Sequence, residues 1–255
     1  LLLETSENDF KYIVEYANDV KSQIHGSDIS FVINRNINYT NICSFKCNFC
    51  AFSKGKGHDD LRGKPYNISE DEIMRRTKEA IDRGATEVCL QGGIHPKFSG
   101  ETYLDIVRTI RLVSNSIHIH AFSPLEIDHG RKTLNISVKD FLIELKKAGL
   151  NSLPGTAAEI LHDDIRSIIC PDKLNSDEWV EIIKSAHSVG LPTTSTMMFG
   201  HVENMFHVAH HLMRLLDIQN STNGLTEFVP LPFVADEAPI YRRGKSRPGP
   251  TFKET

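Results

Sequence analysis

Three of the five cysteines stand within eight residues, in the run Cys43-Ser-Phe-Lys-Cys47-Asn-Phe-Cys50. Iron–sulfur clusters are held by cysteine thiolates, normally four in an electron carrier. Three thiolates on one tight loop can each take one iron of a cubane and leave the fourth iron without a protein ligand. The other two cysteines, Cys89 and Cys170, are remote in sequence. The spacing therefore predicts a cluster with an open coordination position. The competing reading is a Cys3His zinc site with His58 as fourth ligand. Zinc sites usually pair their ligands at short spacing, whereas here three thiols share one loop. Chance clustering of core cysteines fits poorly, because Lys46 and Asn48 make the segment polar. A non-catalytic iron–sulfur or zinc protein is the alternative from another functional class.

Further polar residues fall just after apolar runs: Gln91-Gly92-Gly93-Ile-His95, His120 with Ser123 and Glu126, Glu159, and Phe199-Gly200-His201-Val-Glu203. Strands and helices must position them. Residues 9–24 place apolar side chains at mostly helical spacing, with Gly26 as a stop. Residues 30–39 alternate and predict a strand, and the polar stretch 53–67 predicts a loop. Ser69 and Glu72 form a capping-box pattern before a helix that runs to about Arg83, where Gly84 stops it. Strands are expected at 86–90, 117–122, 151–153, 193–199 and 225–229. Helices are expected at 102–113, 138–148, 175–189 and 205–216. Alternation of this kind means a parallel sheet with helical crossovers. Chemistry recurring after every strand favours a barrel, whose site gathers at the C-terminal strand ends. The expectation is an α/β parallel (β/α) barrel of about six strands, an incomplete TIM-type barrel in one domain over 1–255. The proline-rich stretch from Pro230 cannot be central sheet, so the chain is expected to be a fragment truncated at its C-terminal end.

The chain has 255 residues, 40% of them apolar and 24% charged, with a net charge of −4. That balance excludes a basic nucleic-acid footprint and disfavours disorder. No apolar run is long enough to span a membrane. An odd number of clustered cysteines predicts a reducing compartment such as the cytoplasm. Any one histidine near a strand end is as often bonded to backbone as to ligand. His118 and His120 share a strand face. His207, His210 and His211 are read as a solvated helix face, Arg35 as a carboxylate anchor or a surface pair, and Lys54, Lys56 and Lys64 as loop lysines.

The Cys-x3-Cys-x-Phe-Cys run after the first strand resembles the signature of radical S-adenosylmethionine (SAM) enzymes. The resemblance implies one 4Fe-4S cluster on Cys43, Cys47 and Cys50, with SAM chelating the open iron. It places Phe49 beside cluster and adenine, and Gln91, Gly92 and Gly93 near the SAM methionine. It puts Glu159 near the ribose, and Met198, Gly200 and Glu203 in the fifth-strand adenine motif, where Thr196 replaces a glycine. His95, His120, Ser123, Glu126 and His201 become candidates for substrate contact. Within that family, the runs 34–43, 84–96, 120–126, 154–161, 195–203 and 227–233 resemble the tyrosine-cleaving branch of deazaflavin (FO) synthesis. That branch implies L-tyrosine and 5-amino-6-(D-ribitylamino)uracil as substrates, a low-potential electron donor, and a cyclising radical SAM subunit or fused half. The radical SAM enzymes of the futalosine route to menaquinone are the second reading. They share the Cys loop but not the pattern Phe228–Phe233 followed by Ala238–Tyr241.

Overall fold

The computed structural model describes residues 7–53, 64–252 and 254. The chain divides into two units, 1–32 and 33–255. The first unit holds α1 (Glu7–His25), ended by Gly26 at φ +65°. Its apolar residues Phe10, Val14, Tyr16 and Ile24 are exposed.

The second unit alternates strands and helices. β1 (Asn34–Asn38) is followed by α2 (Glu70–Asp82), β2 (Glu87–Gln91), α3 (Gly100–Val113) and β3 (His118–Ala121). Then come four helices: α4 (Pro124–Leu134), α5 (Val138–Ala148), α6 (Asp163–Ile169) and α7 (Ser176–Ser188). β4 (Thr193–Phe199), α8 (Met205–Thr222), β5 (Leu225–Pro232) and α9 (Pro239–Arg242) complete the series. The strands form two parallel ladders, β1-β2-β3 and β4-β5. Parallel bridges join them through two residues, His120 to Ser152 and Leu153 to Thr193. Val88, Leu90, Ile119 and Ala121 point to one face and are fully buried with Ile37, Tyr103, Ile110 and Phe141. Glu87, Cys89 and Gln91 take the opposite face, as a period of two requires. Laid flat at about 4.8 Å per strand, β1 and β5 would lie roughly 24 Å apart. Asn38 and Leu231, from these two strands, nevertheless line a single cavity. The sheet therefore curls, which a barrel wall does and an open sheet does not.

Most helix starts follow side-chain caps. Ser137, Asn175 and Asn204 each accept backbone N–H groups of their own first turn. Several expectations shift. β1 begins at Asn34, and Phe31 is 83% exposed. The expected strand at 151–153 is reduced to its two bridges, so five strands form among the described residues. Ser69 caps α2, but Glu72 does not reach back; its carboxylate takes Arg75 and Arg76 instead. α4 and α6 lie where no helix was expected, and α8 runs to Thr222. Pro230 and Pro232 fall inside β5, which among the described residues pairs only with β4 and tolerates them as an edge. Among the described residues no helix is long and apolar enough to cross a membrane.

Candidate active site at the C-terminal strand ends

The cysteine loop follows β1 and is tied down at both ends. Ser44 donates its N–H and its hydroxyl to the Ile94 carbonyl at 2.9 and 3.0 Å. Lys46 N–H donates to Asp172 at 2.8 Å, and Asn48 N–H to the Ile169 carbonyl at 2.7 Å. The loop is thus held to the turn after β2 and to the end of α6. Backbone N–H groups also reach two of the sulfurs: Ile94 to Cys43 Sγ and Ser53 to Cys50 Sγ, both at 3.3 Å. Burial pushes the Cys47 thiol up to about 12, against the lowering effect of nearby Lys173, and burial also raises Cys50. A free thiolate is disfavoured there, and a bound cation reverses that cost.

Gly92 and Gly93 sit where no side chain fits. A Cβ on Gly92 would enter the Tyr39 ring, and one on Gly93 would lie 2.9 Å from Cys43 Cβ. The turn therefore presses directly on the cysteine loop. Below it, Glu126 is fully enclosed. It accepts from Gly92 N–H at 3.2 Å, from Ser123 N–H at 2.7 Å, from the Ser123 hydroxyl at 2.6 Å, and from the Tyr39 hydroxyl. Burial raises its carboxyl, and these bonds hold it down in part. Ser123 and Glu126 are also the two halves of the α4 capping box.

The opposite wall comes from residues 156–159 and from Lys173. Phe122, Ala157 and Glu159 all have positive φ, between 50° and 67°. Such conformations are costly for side-chain-bearing residues and concentrate at sites. Buried Arg166 fixes this wall by donating to the carbonyls of Ala157, Ala158 and Leu174. Lys173 pairs with Glu159 at 3.1 Å and lies 5.0 Å from the Phe49 ring centre. Burial lowers the Lys173 ammonium, but Glu159 and the neighbouring thiols more than reverse this, and it stays charged.

These parts enclose one cavity of about 360 Å³. Cys43, Cys47, Cys50, Phe49, Gln91, Gly92, Gly93, Ser123, Glu126 and Glu159 all line it, together with Lys173 and Thr196. Its three thiols come from one loop, and neither Cys89 nor Cys170 reaches it. The profile of the Radical SAM superfamily matches residues 37–215, from β1 into α8. The chain belongs to the radical SAM superfamily.

Among relatives, the chain is 47% identical over 242 residues to the FO synthase of Mycobacterium leprae, covering 95% of this chain and 28% of that protein. It is 47% identical over 237 residues to the 5-amino-6-(D-ribitylamino)uracil–L-tyrosine 4-hydroxyphenyl transferase of Methanopyrus kandleri, covering 93% and 63%. The chain thus spans less than two thirds of either protein. The corresponding transferase of Methanothermobacter thermautotrophicus is 44% identical, with 98% of this chain and 67% of that protein covered. Among solved structures, methylornithine synthase (PylB) superposes with TM-score 0.67 at 14% identity, covering 94% of this chain and 64% of that one. The hydrogenase maturase HydG of Carboxydothermus hydrogenoformans gives 0.69 at 18% identity, covering 89% and 50%. At such identity the likeness shows the fold, a TIM-like radical SAM barrel.

The other sequence-predicted residues of this radical SAM chain stand outside the cavity lining. His95 stacks on Phe98 and accepts from Lys97 N–H. His201 is fully buried and donates from Nε2 to the Met198 carbonyl at 3.0 Å. Glu203 accepts from the N–H groups of Gly200 and His201 and so closes the turn after β4, where Gly200 takes φ +92°. Met198 packs in a core cluster with Phe233. His120 bonds Ser152 on the inner strand face. The solvated reading of the α8 histidines fails. His211 is fully buried, its Nδ1 accepting from Leu161 N–H at 3.0 Å, and His210 bonds the Leu161 carbonyl. They fasten α8 to the loop before α6. Arg35 makes an ion pair with Glu79 at 3.5 Å. Lys54, Lys56 and the zinc candidate His58 lie outside the described residues. Lys173, which lines the cavity, and Arg166, which fixes its wall, are the groups that sequence reasoning missed, since neither belongs to a spaced motif.

Proposed function

We propose that this chain cleaves L-tyrosine between Cα and Cβ and transfers the 4-hydroxybenzyl group to 5-amino-6-(D-ribitylamino)uracil, a step of FO (deazaflavin) synthesis. The carrying observation is the identity of 44–47% to transferases of that name over 93–98% of the chain.

The cofactors of a radical SAM enzyme are a 4Fe-4S cluster and SAM, and the site has donors for both. Cys43, Cys47 and Cys50 supply three thiolates to one cavity whose lining holds no fourth, which suits a cubane with one free iron. When bound, these groups together supply a 5′-deoxyadenosyl radical.

The chain's own residues bind, orient and shield. Glycines 92 and 93 let backbone approach the amino-acid end of SAM. Lys173 offers a buried cation for a carboxylate, with Phe49 beside it. Glu159 and Thr196 face the same space. Glu126 and Tyr39 brace the Gly92 turn from below. Ile94, Leu125 and Leu231 supply apolar wall that excludes water from a reactive carbon. A low-potential one-electron donor and a cyclising radical SAM partner or fused half complete the reaction sequence.

The test is anaerobic reconstitution followed by product analysis with tyrosine, SAM and the diaminouracil. The expected products are 5′-deoxyadenosine and the hydroxybenzyl adduct of the uracil. Turnover of an enolpyruvyl benzoate to an aminofutalosine-type adduct, with tyrosine untouched, would move the chain to the menaquinone route.

A further inference from the structure

The inner faces of β2 and β3 carry a second donor set that the cofactor cavity does not use. Glu87, His118 and His120 each present one ligand atom, and the three atoms lie within 4.8 Å of one another. The parallel register makes this so: Glu87 stands opposite His118, and Cys89 opposite His120. The intervening residues Val88 and Ile119 are fully buried on the other face, which locks the donors inward.

His118 Nε2 and His120 Nδ1 converge on one atom, the Ser152 hydroxyl oxygen, at 2.7 and 2.6 Å. The hydroxyl can donate to one of the two nitrogens and accept an N–H from the other, so the two rings present their nitrogens to one point. A Glu87 carboxylate oxygen lies 3.7 Å from the same His118 nitrogen, and the Asn34 amide donates to its other oxygen. Among the described residues, the ion-pair partner of Glu87 is His118; neither lysine nor arginine neutralises it.

We propose that Glu87, His118 and His120 bind one divalent d-block cation of the zinc class, at a site separate from the cysteine loop. Two imidazoles and a carboxylate are donors that suit such an ion, whereas magnesium and calcium prefer oxygen alone. Three protein ligands leave a position open to water or to an oxygen or nitrogen of a small molecule, as catalytic rather than structural zinc sites do. Glu87 precedes Gln91 of the cofactor cavity by four residues on one strand, roughly 13 Å at 3.3 Å per residue. The thiols of the loop therefore cannot share the ion. This site is independent of the substrate proposed above.

The cluster-loaded full chain with one equivalent of Zn²⁺ is measured by zinc-edge X-ray absorption. Nitrogen and oxygen scatterers at about 2.0–2.1 Å with no sulfur shell support the site. A sulfur shell, or no retained zinc after gel filtration, overturns it. Chelator competition then compares variants. His118→Ala, His120→Ala and Glu87→Gln should each weaken zinc by about 100-fold, at least the loss typical of an outer-sphere partner. His118 has a 42% exposed side chain, so its variant should stay folded by circular dichroism. Ser152→Ala should retain zinc within about 10-fold, because it removes only the hydroxyl between the ligands. Unchanged affinity in His118→Ala, or loss confined to Ser152→Ala, would mean a hydrogen-bonded cluster and no metal site.

Discussion

Gly93 is the residue where backbone and cluster loop meet most closely. Gly93→Ala would push its methyl against Cys43 Cβ and the Ile42 carbonyl, both at the start of the loop. The expected outcome is a folded protein with sharply reduced iron and sulfide after reconstitution. Full loading of that variant would show that the loop adapts freely. Lys173 gives a second prediction at this scale. Its side chain and that of Glu159 are only 11% and 10% exposed. Removing one member of a buried pair typically costs about 3–5 kcal/mol, because the other charge is left alone. Lys173→Met should therefore lower urea stability by about 3 kcal/mol. The double variant Lys173→Met/Glu159→Gln should recover much of that loss. Simple additivity in this cycle would deny the coupling.

Ser123 belongs to two structures at once, the start of α4 and the cradle of Glu126. Ser123→Ala should cost about 1–2 kcal/mol, at the upper end for a lost cap, and should also weaken SAM binding. Ser137→Ala removes the equivalent cap of α5, away from the cavity. It should cost about 1 kcal/mol and leave SAM affinity unchanged, as calorimetry would report. At this scale the sequence was partly legible. α5 and α7 were readable because periodicity, side-chain caps and glycine stops agree along them, and α3 and β4 were readable from the apolar pattern alone. The pattern Ser123-Pro-Leu-Glu126 was equally a helix start, yet its polar residues suggested a strand-end loop, and α4 went unread. α6 has only seven residues and no side-chain cap, too little signal for periodicity. Of the residues expected at the site, Cys43, Cys47, Cys50, Gln91, Gly92, Gly93, Glu126 and Glu159 line the cavity, and they were legible because they sit in spaced motifs at strand ends. Lys173 and Arg166 act through burial reached only by tertiary packing, which linear spacing does not encode. The histidines carried no such signal: His95 and His201 looked like site groups and serve turns, while His211 looked solvated and is core.

Across the whole molecule, acid should loosen the fold through His211. Burial lowers its imidazole to about 4. The folded state stays neutral while an unfolded histidine gains a proton below about 6.5. Stability should therefore fall as pH drops from about 6.5 to about 4, by up to about 3 kcal/mol from this one group. Thermal melts from pH 7 to pH 4.5 should show the decline, and His211→Gln should reduce its slope while leaving the part due to His120, whose imidazole burial also lowers to about 4. Replacing Cys43, Cys47 and Cys50 together by alanine should abolish iron binding but leave far-ultraviolet circular dichroism intact, since the helices and ladders do not rest on those thiols. Among the described residues the two ladders meet only through Ser152 and Leu153. Five backbone bonds stitch them there: to Ile119 from the N–H groups of Asn151 and Ser152, from Ala121 to Ser152, from Leu153 to Pro192, and from Thr194 to Leu153. So narrow a seam is where local opening should begin, ahead of global unfolding. The amides of Ser152 and Leu153 should accordingly exchange deuterium sooner than those of Val88 or Leu90. A ligand that touches Gly92 on one ladder and Thr196 on the other acts as a rivet across the seam, and it should slow that exchange although it bonds to neither amide.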